Sequence, residues 1–485
     1  MKTKIVATIG PAVGSREMLR ALISAGLSVA RLNFSHGEYP TFTQWIKDIR
    51  ELSKEMGKPV AILQDLQGPK IRVGEMNENV VITAGKKVTF TTKKVKGTDK
   101  LIPIQYQNMP RDVKSGDTIF LDDGLLQISV LKTNKKDTIQ AKVLVGGPLS
   151  SHKGMNLPNT SISTPGISEK DRRDIKFGLE QDVDFIALSF VRTSKDIKTL
   201  KEMIRKAGKR AQVFAKMERR EGIEKLEEIM EETDGVMVAR GDLGIEVSLE
   251  EVPLLQKKII NMAIQKGKPV ITATQMLDSM IRNPKPTRAE VSDVANAILD
   301  GTDAVMLSGE SAVGKYPLQA VRMLGSIARE VEKTSLAQKQ MERASLISRL
   351  KRQNATLTEA LSVAAEELAD HAQADAIIVA TMTGYTARMM AKQRPHAKII
   401  AYSPDKKIVA QMAVLWNTTP RLLPSFREEE DVLEQALDSA VAEGLVKPGD
   451  KVVLTAGTPT RVAGTTNTLQ IHIVDKIRIP FRHRQ

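Results

Sequence analysis

The chain has no cysteine, few aromatic residues and no long apolar run, and each absence narrows what it can be. Without a thiol there is no disulfide framework, no thiolate nucleophile and no cysteine-based zinc site. Aromatics make up only 4% of the residues, and no aromatic-basic module or Cys/His finger marks a nucleic-acid reader. No apolar stretch approaches the roughly 20 residues of a membrane-spanning helix. Met1-Lys2-Thr3-Lys4 leads directly into an apolar strand, without a signal-peptide core. The sequence therefore reads as a soluble, cytoplasmic protein with no membrane and no nucleic-acid partner. Charge, by contrast, is plentiful: 72 Lys and Arg against 58 Asp and Glu, a net +14. Such a balance suits small anionic substrates. A length of 485 residues gives a prior of about three domains.

Eight short β-branched runs are predicted as strands: Lys4–Gly10, Ser28–Phe34, Pro59–Asp65, Val183–Phe190, Ala211–Met217, Gly235–Ala239, Pro269–Thr274 and Asp303–Leu307. Helical patterns separate them, the first opening at Ser15 as N-cap and stopping at Gly26. Near-continuous apolar strands with helical crossovers predict an α/β fold, a (β/α)8 barrel. The interruption from Gly68 to Ser163 instead reads as a small all-β insertion, with strands around 80–83, 87–92, 118–121, 126–131 and 138–145. It is placed to act as a lid on the barrel. After Lys315 a charged helical stretch runs to about Asn354. A second alternation follows, with strands at Asp375–Thr381, Lys398–Ser403, Asp450–Gly457 and Leu469–Val474 among five or so, an open-sheet α/β domain. The expected boundaries are 1–68 and 165–335 for the barrel, 69–164 for the lid and 336–485 for the C-terminal domain.

In a barrel, the residues just past the C-terminal strand ends build the active site. Strand by strand these are Arg31, Asn33, Ser35 and His36; Asp65; Ser189 and Phe190; Lys216 and Glu218; Arg240, Gly241 and Asp242; Thr274 and Gln275; Ser308 and Glu310. Nearly every strand aims a functional group at one mouth. Glu218 and Asp242 offer two hard oxygen ligands without an all-protein cage, which suits a Mg²⁺ that keeps water and substrate oxygens. Lys216 beside them can neutralise a phosphate or a forming enolate.

The segments Thr8-Ile-Gly-Pro-Ala12, Ala30-Arg-Leu-Asn-Phe-Ser-His-Gly37, Lys216-Met-Glu218, Met237-Val-Ala-Arg-Gly-Asp-Leu-Gly-Ile-Glu246, Ala273-Thr-Gln-Met-Leu277, Pro286-Thr-Arg-Ala-Glu290 and Met306-Leu-Ser-Gly-Glu310 resemble those of the pyruvate kinase family, in that family's order. The resemblance spans essentially the whole chain. It implies phosphoryl transfer from phosphoenolpyruvate to ADP, giving ATP and pyruvate, the final step of glycolysis. It implies Glu218 and Asp242 as ligands of Mg²⁺ or Mn²⁺, and Lys216 as the group that neutralises the phosphoryl in flight. Arg31 and Arg72 would clamp phosphate oxygens, and the N–H groups of Gly241 and Asp242 would receive the substrate carboxylate. Thr274 would bind that carboxylate and relay a proton, with Ser308 ordering a water. Arg240 is expected as a partner of the surrounding loop. Pro11, Asn33, Arg72 and Lys153 match nucleotide positions; for Lys153, a solvated lysine in a Gly-rich turn is the alternative. Another phosphoenolpyruvate- or pyruvate-handling barrel, of lyase or aldolase type, could share the metal but would need no nucleotide lid or third domain.

One stretch departs from the family. Potassium-dependent members read Asp-Thr-Lys-Gly-Pro-Glu-Ile-Arg-Thr where this chain has Asp65-Leu-Gln-Gly-Pro-Lys-Ile-Arg-Val73. Lys70 stands at the glutamate position, near the family's monovalent-cation ligands Asn33, Ser35 and Asp65. A fixed ammonium supplies the charge that K⁺ would bring, so K⁺ is expected to be dispensable. In the C-terminal domain, Thr381, Thr383, Gly384, Thr386 and Arg388, with Arg461, resemble the family's site for a phosphorylated allosteric effector. A plain helix cap is the alternative. A homotetramer is the family's habit. Lys216→Met is expected to collapse transfer with little effect on folding.

Overall fold

Short runs of Val, Ile, Leu and Ala, buried on both faces, form a closed, all-parallel barrel. Its eight strands are Lys4–Ile9, Leu27–Asn33, Ala61–Asp65, Phe185–Leu188, Gln212–Met217, Gly235–Ala239, Val270–Ala273 and Ala304–Leu307, each beside its predecessor. The computed structural model describes residues 1–158, 160–334, 356–423, 432–457 and 466–475. Period-2 alternation divides the strands' side chains. Ile5, Ala7 and Ile9 pack against the helices, while Val6, Leu63, Phe185, Phe214, Met237 and Met306 fill the interior. The Phe185 and Phe214 rings meet edge to face at 5.0 Å. The first helix, Arg16–Ala25, starts where Ser15 Oγ accepts the Met18 N–H at 3.2 Å and stops at Gly26. Gly26 lies at φ 112°, a backbone state that side chains resist. The fourth strand is shorter than the predicted 183–190. Its ladder ends at Leu188, and Phe190 turns left-handed at φ 56°.

The insertion is a seven-stranded sheet plus a two-stranded ribbon around its own core of Phe90, Ile102, Ile119, Leu121, Ile128 and Ile139. Four of its strands escape a sequence reading: Ile71–Arg72, Leu101–Pro103, Gly147–Pro148 and Gly154–Asn156. Each is too short to show a period. In the C-terminal domain the sheet order is Thr418–Leu422, Lys398–Ser403, Ala376–Ala380, Lys451–Gly457, Thr466–Ile473. Thr418–Leu422 went unnamed in the sequence because Pro420 interrupts it. It lies at the sheet edge, where a proline is tolerated. The last strand begins at Thr466, ahead of the predicted Leu469, and runs antiparallel to Lys451–Gly457. The charged stretch after Lys315 contains the helix Pro317–Glu332. Its remainder from 335 to 354 lies outside the described residues. Among the described residues no helix is long and apolar enough to cross a membrane.

The C-terminal domain docks on the N-terminal ends of the barrel strands, which leaves the opposite mouth to the lid. Lys4 Nζ donates to the Thr418 carbonyl at 2.6 Å, and Lys407 Nζ donates to the carbonyls of Asp182 and Val183 at 2.7 and 2.6 Å. Arg394 pairs with Asp303 at 2.9 Å, the two side chains only 4% and 7% exposed, and its guanidinium lies 5.0 Å from the Trp416 ring centroid. Asp303 also accepts the Val270 N–H, so its carboxylate stays buried if the arginine is lost. Arg394→Met is therefore expected to destabilise the chain by about 3–5 kcal/mol. Trp416 fluorescence during denaturant unfolding would read the shift. A midpoint within error of the parent would show that the pair contributes nothing.

Candidate active site

The second, third and fifth strands end on opposite charges buried against one another. Arg31 Nε donates to Asp65 Oδ2 at 2.7 Å, and its Nη1 donates to Thr8 Oγ1 at 2.7 Å. Lys216 Nζ lies 3.1 Å from Asp65 Oδ1 and 2.9 Å from Glu218 Oε1, and donates to Ser189 Oγ at 2.8 Å. Ser189 Oγ in turn donates a hydrogen bond to the Leu66 carbonyl at 2.7 Å. Glu218 Oε2 accepts the N–H of Phe190 at 2.7 Å, a contact set by the left-handed turn there. Glu218 Oε1 and Asp65 Oδ1 are buried, and both lie within ion-pair range of Lys216. Each oxygen can meet the ammonium with one lone pair and keep another for coordination.

Electrostatics sharpen this picture. Burial works against the Lys216 ammonium, but Asp65 and Glu218 outweigh it and hold the lysine above its ordinary range. Burial also opposes the Asp65 carboxylate, and Lys216 and Arg31 overcome it, so Asp65 lies below the usual carboxylate range. Glu218 goes the other way: burial pushes it up to about 7, Lys216 opposes, and the charge of Asp242 adds to the rise. Two cations thus face three carboxylates. The Asp242 carboxylate has no hydrogen bond or ion pair among the described residues. One negative charge is left in excess, on oxygens of the hard type that divalent cations prefer, while no group of three or more His, Cys, Asp or Glu that could hold a metal ion occurs among the described residues.

The sixth strand runs into the helix Arg240–Glu246, and the seventh into Thr274 and Gln275 at φ 71° and 53°. For a β-branched residue this backbone state is a genuine outlier. Thr274 Oγ1 accepts the Gly241 N–H at 2.8 Å and donates to the Ala273 carbonyl at 2.6 Å. The hydroxyl thus already occupies the N–H expected to receive a substrate carboxylate, so binding there requires an exchange of partners. Arg240 donates to the Ala273 and Thr274 carbonyls at 3.3 and 2.7 Å and pairs with Asp293 at 2.7 Å, so its side chain belongs to the loop. At the eighth strand Glu310 accepts the N–H groups of Ser308 and Leu277 at 2.7 and 3.1 Å. Ser308 Oγ is buried and has no hydrogen-bond partner among the described residues.

Other expected residues do not join this group. Arg72 donates to the His152 carbonyl at 3.0 Å, and Lys153 pairs with Asp122 at 2.8 Å, both contacts within the lid. Pro11 is exposed in the turn after the first strand, and Asn33 Oδ1 accepts the Ser35 N–H at 3.1 Å, which ties Asn33 into its own turn. Lys70 sits at the lid root against Gly154: a side chain at Gly154 would meet Lys70 Cε at 3.2 Å. Lys70 makes no ion pair with Asp65 within 4 Å, and the two Asp65 oxygens meet Lys216 and Arg31 instead. In the C-terminal loop, Thr381 Oγ1 accepts the Gly384 N–H and Thr386 meets Thr466 at 2.8 Å, both turned inward, while Thr383 is exposed. Arg388 lies over the Tyr385 ring at 5.3 Å and feels the charge of Asp234 of the barrel. Arg461 lies outside the described residues. Thr8, which holds Arg31, and Asp293, which holds Arg240, were not assigned from sequence. Ordinary side chains distant in sequence give no local signal.

Comparison with known proteins agrees with this geometry. Residues 1–321 match the family model described as pyruvate kinase, barrel domain, and residues 359–472 match pyruvate kinase, alpha/beta domain. A pyruvate kinase of Geobacillus stearothermophilus is 45% identical over 480 residues, 98% of this chain and 81% of the relative. One from Staphylococcus epidermidis is 44% identical over 475 residues, covering 98% and 80%. The crystal structure of a pyruvate kinase from Cryptosporidium parvum superposes with a TM-score of 0.91 at 36% identity, covering 97% of this chain and 96% of that one. The lyase and aldolase alternatives fall away, and the chain belongs to the pyruvate kinase family.

Proposed function

We propose that Glu218 and Asp242 hold the divalent cation of this phosphotransferase, and that Lys216 and Arg31 receive the phosphoryl group passing from phosphoenolpyruvate to ADP. The observation that carries the reading is the pair of carboxylates at adjacent strand ends: Glu218, buried against the Lys216 ammonium at 2.9 Å, and Asp242, which has no hydrogen bond or ion pair among the described residues. Bound Mg²⁺ or Mn²⁺ would neutralise substrate oxygens there. The rest falls to the chain. The Lys216 ammonium, rigidly held by Asp65, Glu218 and Ser189, meets charge developing on the phosphoryl oxygens and then on the enolate. Arg31, fixed through Nε and Nη1, keeps Nη2 for a phosphate oxygen. Thr274 and the N–H groups of Gly241 and Asp242 orient the substrate carboxylate, and Ser308 holds a water for proton delivery.

The lid brings Arg72 and Lys153 to the nucleotide, with Lys153 exchanging Asp122 for phosphate, while Pro11 and Asn33 border the nucleotide on the barrel side. Lys70 stands at the lid root without an ion-pair partner among the described residues, an ammonium available in place of K⁺ beside Asn33, Ser35 and Asp65. The protein acts in the cytoplasm as a homotetramer. The Thr381–Thr386 loop takes a phosphorylated effector, with its exposed Thr383 and the helix start behind it. Pyruvate is expected to form from phosphoenolpyruvate only when ADP and Mg²⁺ are both present. The rate should be unchanged when a bulky organic cation replaces K⁺ at matched ionic strength. Release of pyruvate without ADP would refute transfer, and a large K⁺ stimulation would refute the role of Lys70.

A further inference from the structure

We infer that Arg240 is a positioning residue: with Asp293 behind it, it holds the Thr274–Gln275 turn in its left-handed state and thereby sets affinity for phosphoenolpyruvate. Both residues of that turn have positive φ, 71° and 53°. A free chain would leave this state, above all at β-branched Thr274. Arg240 opposes the relaxation from one rigid fork. Nε donates to the Ala273 carbonyl at 3.3 Å and Nη2 to the Thr274 carbonyl at 2.7 Å, the peptide that joins the two strained residues. Nη1 reaches Asp293 Oδ1 at 2.7 Å, anchoring the guanidinium to the helix Arg288–Leu299. The Arg240 side chain is only 11% exposed, so little water competes for these bonds. The strained turn in turn aims Thr274 Oγ1 at the Gly241 N–H, 2.8 Å away. Arg240 needs no contact with substrate to act. A lysine cannot replace it, because one ammonium cannot span two carbonyls and a carboxylate in fixed geometry.

The inference rests on Thr274 facing phosphoenolpyruvate, and a double-mutant cycle with Gln275→Gly separates the two claims. Gln275 is exposed, and glycine accepts φ 53° without strain. Arg240→Lys is expected to raise KM for phosphoenolpyruvate about tenfold and KM for ADP by less than about twofold. In the Gln275→Gly background the same change should raise KM for phosphoenolpyruvate only about two- to threefold, since coupled sites are non-additive. Asp293→Asn, at a half-exposed position, repeats the cycle if Arg240→Lys folds poorly. The same cycle read as thermal midpoint without substrate tests the strain alone. Equal effects in both backgrounds, or parallel changes in both KM values, would overturn the inference. If the thermal cycle couples and neither KM moves, the strain is real and the assignment of Thr274 to the substrate is what fails.

Discussion

Lys216→Met should lower kcat by about 1,000-fold or more, the scale of losing a preorganised group that meets transition-state charge. The side chain is 10% exposed and fixed by Asp65, Glu218 and Ser189, so its charge is held in place before substrate binds. Sequence alone suggests a change harmless to the fold, and here the structure corrects the expectation. Lys216 neutralises two buried carboxylates. Its loss leaves Asp65 to Arg31 alone and Glu218 to a single backbone N–H. Breaking such a buried pair costs about 3–5 kcal/mol. Thermal melts should show a clear fall in the metal-free variant, and Mg²⁺ should recover more stability in the variant than in the parent. Turnover within tenfold of the parent, with Mg²⁺ saturating, would remove Lys216 from the chemistry.

Asp242→Asn should separate function from stability in the opposite sense. Its carboxylate has no hydrogen bond or ion pair among the described residues, and its charge, which favours Lys216, works against the neighbouring Glu218, so the two effects largely offset. An amide of the same shape should therefore shift unfolding by no more than about 0.5 kcal/mol. Half-saturating Mg²⁺ should rise by at least about 100-fold, beyond what is usual for residues that only support a ligand. Titrating Mg²⁺ against rate, alongside a melt without metal, gives both numbers. A variant with unchanged Mg²⁺ dependence would remove Asp242 from the metal site. One that melts far below the parent would show that Asp242 has a structural partner.

The site was legible where chemistry and register coincide. Lys216 and Glu218 close one strand, Gly241 and Asp242 follow the next, and the period of the apolar runs gives the direction in which each strand ends. Less legible were contacts between residues remote in sequence. Nothing in Asp293 announces that it anchors Arg240, and nothing in Thr8 announces that it holds Arg31. Thr274 and Gln275 give no sign of positive φ, because neither residue type favours it. Short lid strands and the strand broken by Pro420 were missed for a simpler reason: each is too short or too interrupted to establish a pattern.

By itself the sequence determined the barrel, the inserted sheet, the open C-terminal sheet and the set of charged groups at the strand ends. Burial on both faces imposes an apolar run that a linear reading can detect. Only the tertiary structure decided how those charges pair. Which carboxylate Lys216 neutralises, which one lacks a partner, and that Arg72 and Lys153 bond within the lid depend on distances of a few ångströms between segments far apart in the chain. Coulomb and hydrogen-bond energies vary steeply over that range, and no local pattern encodes them.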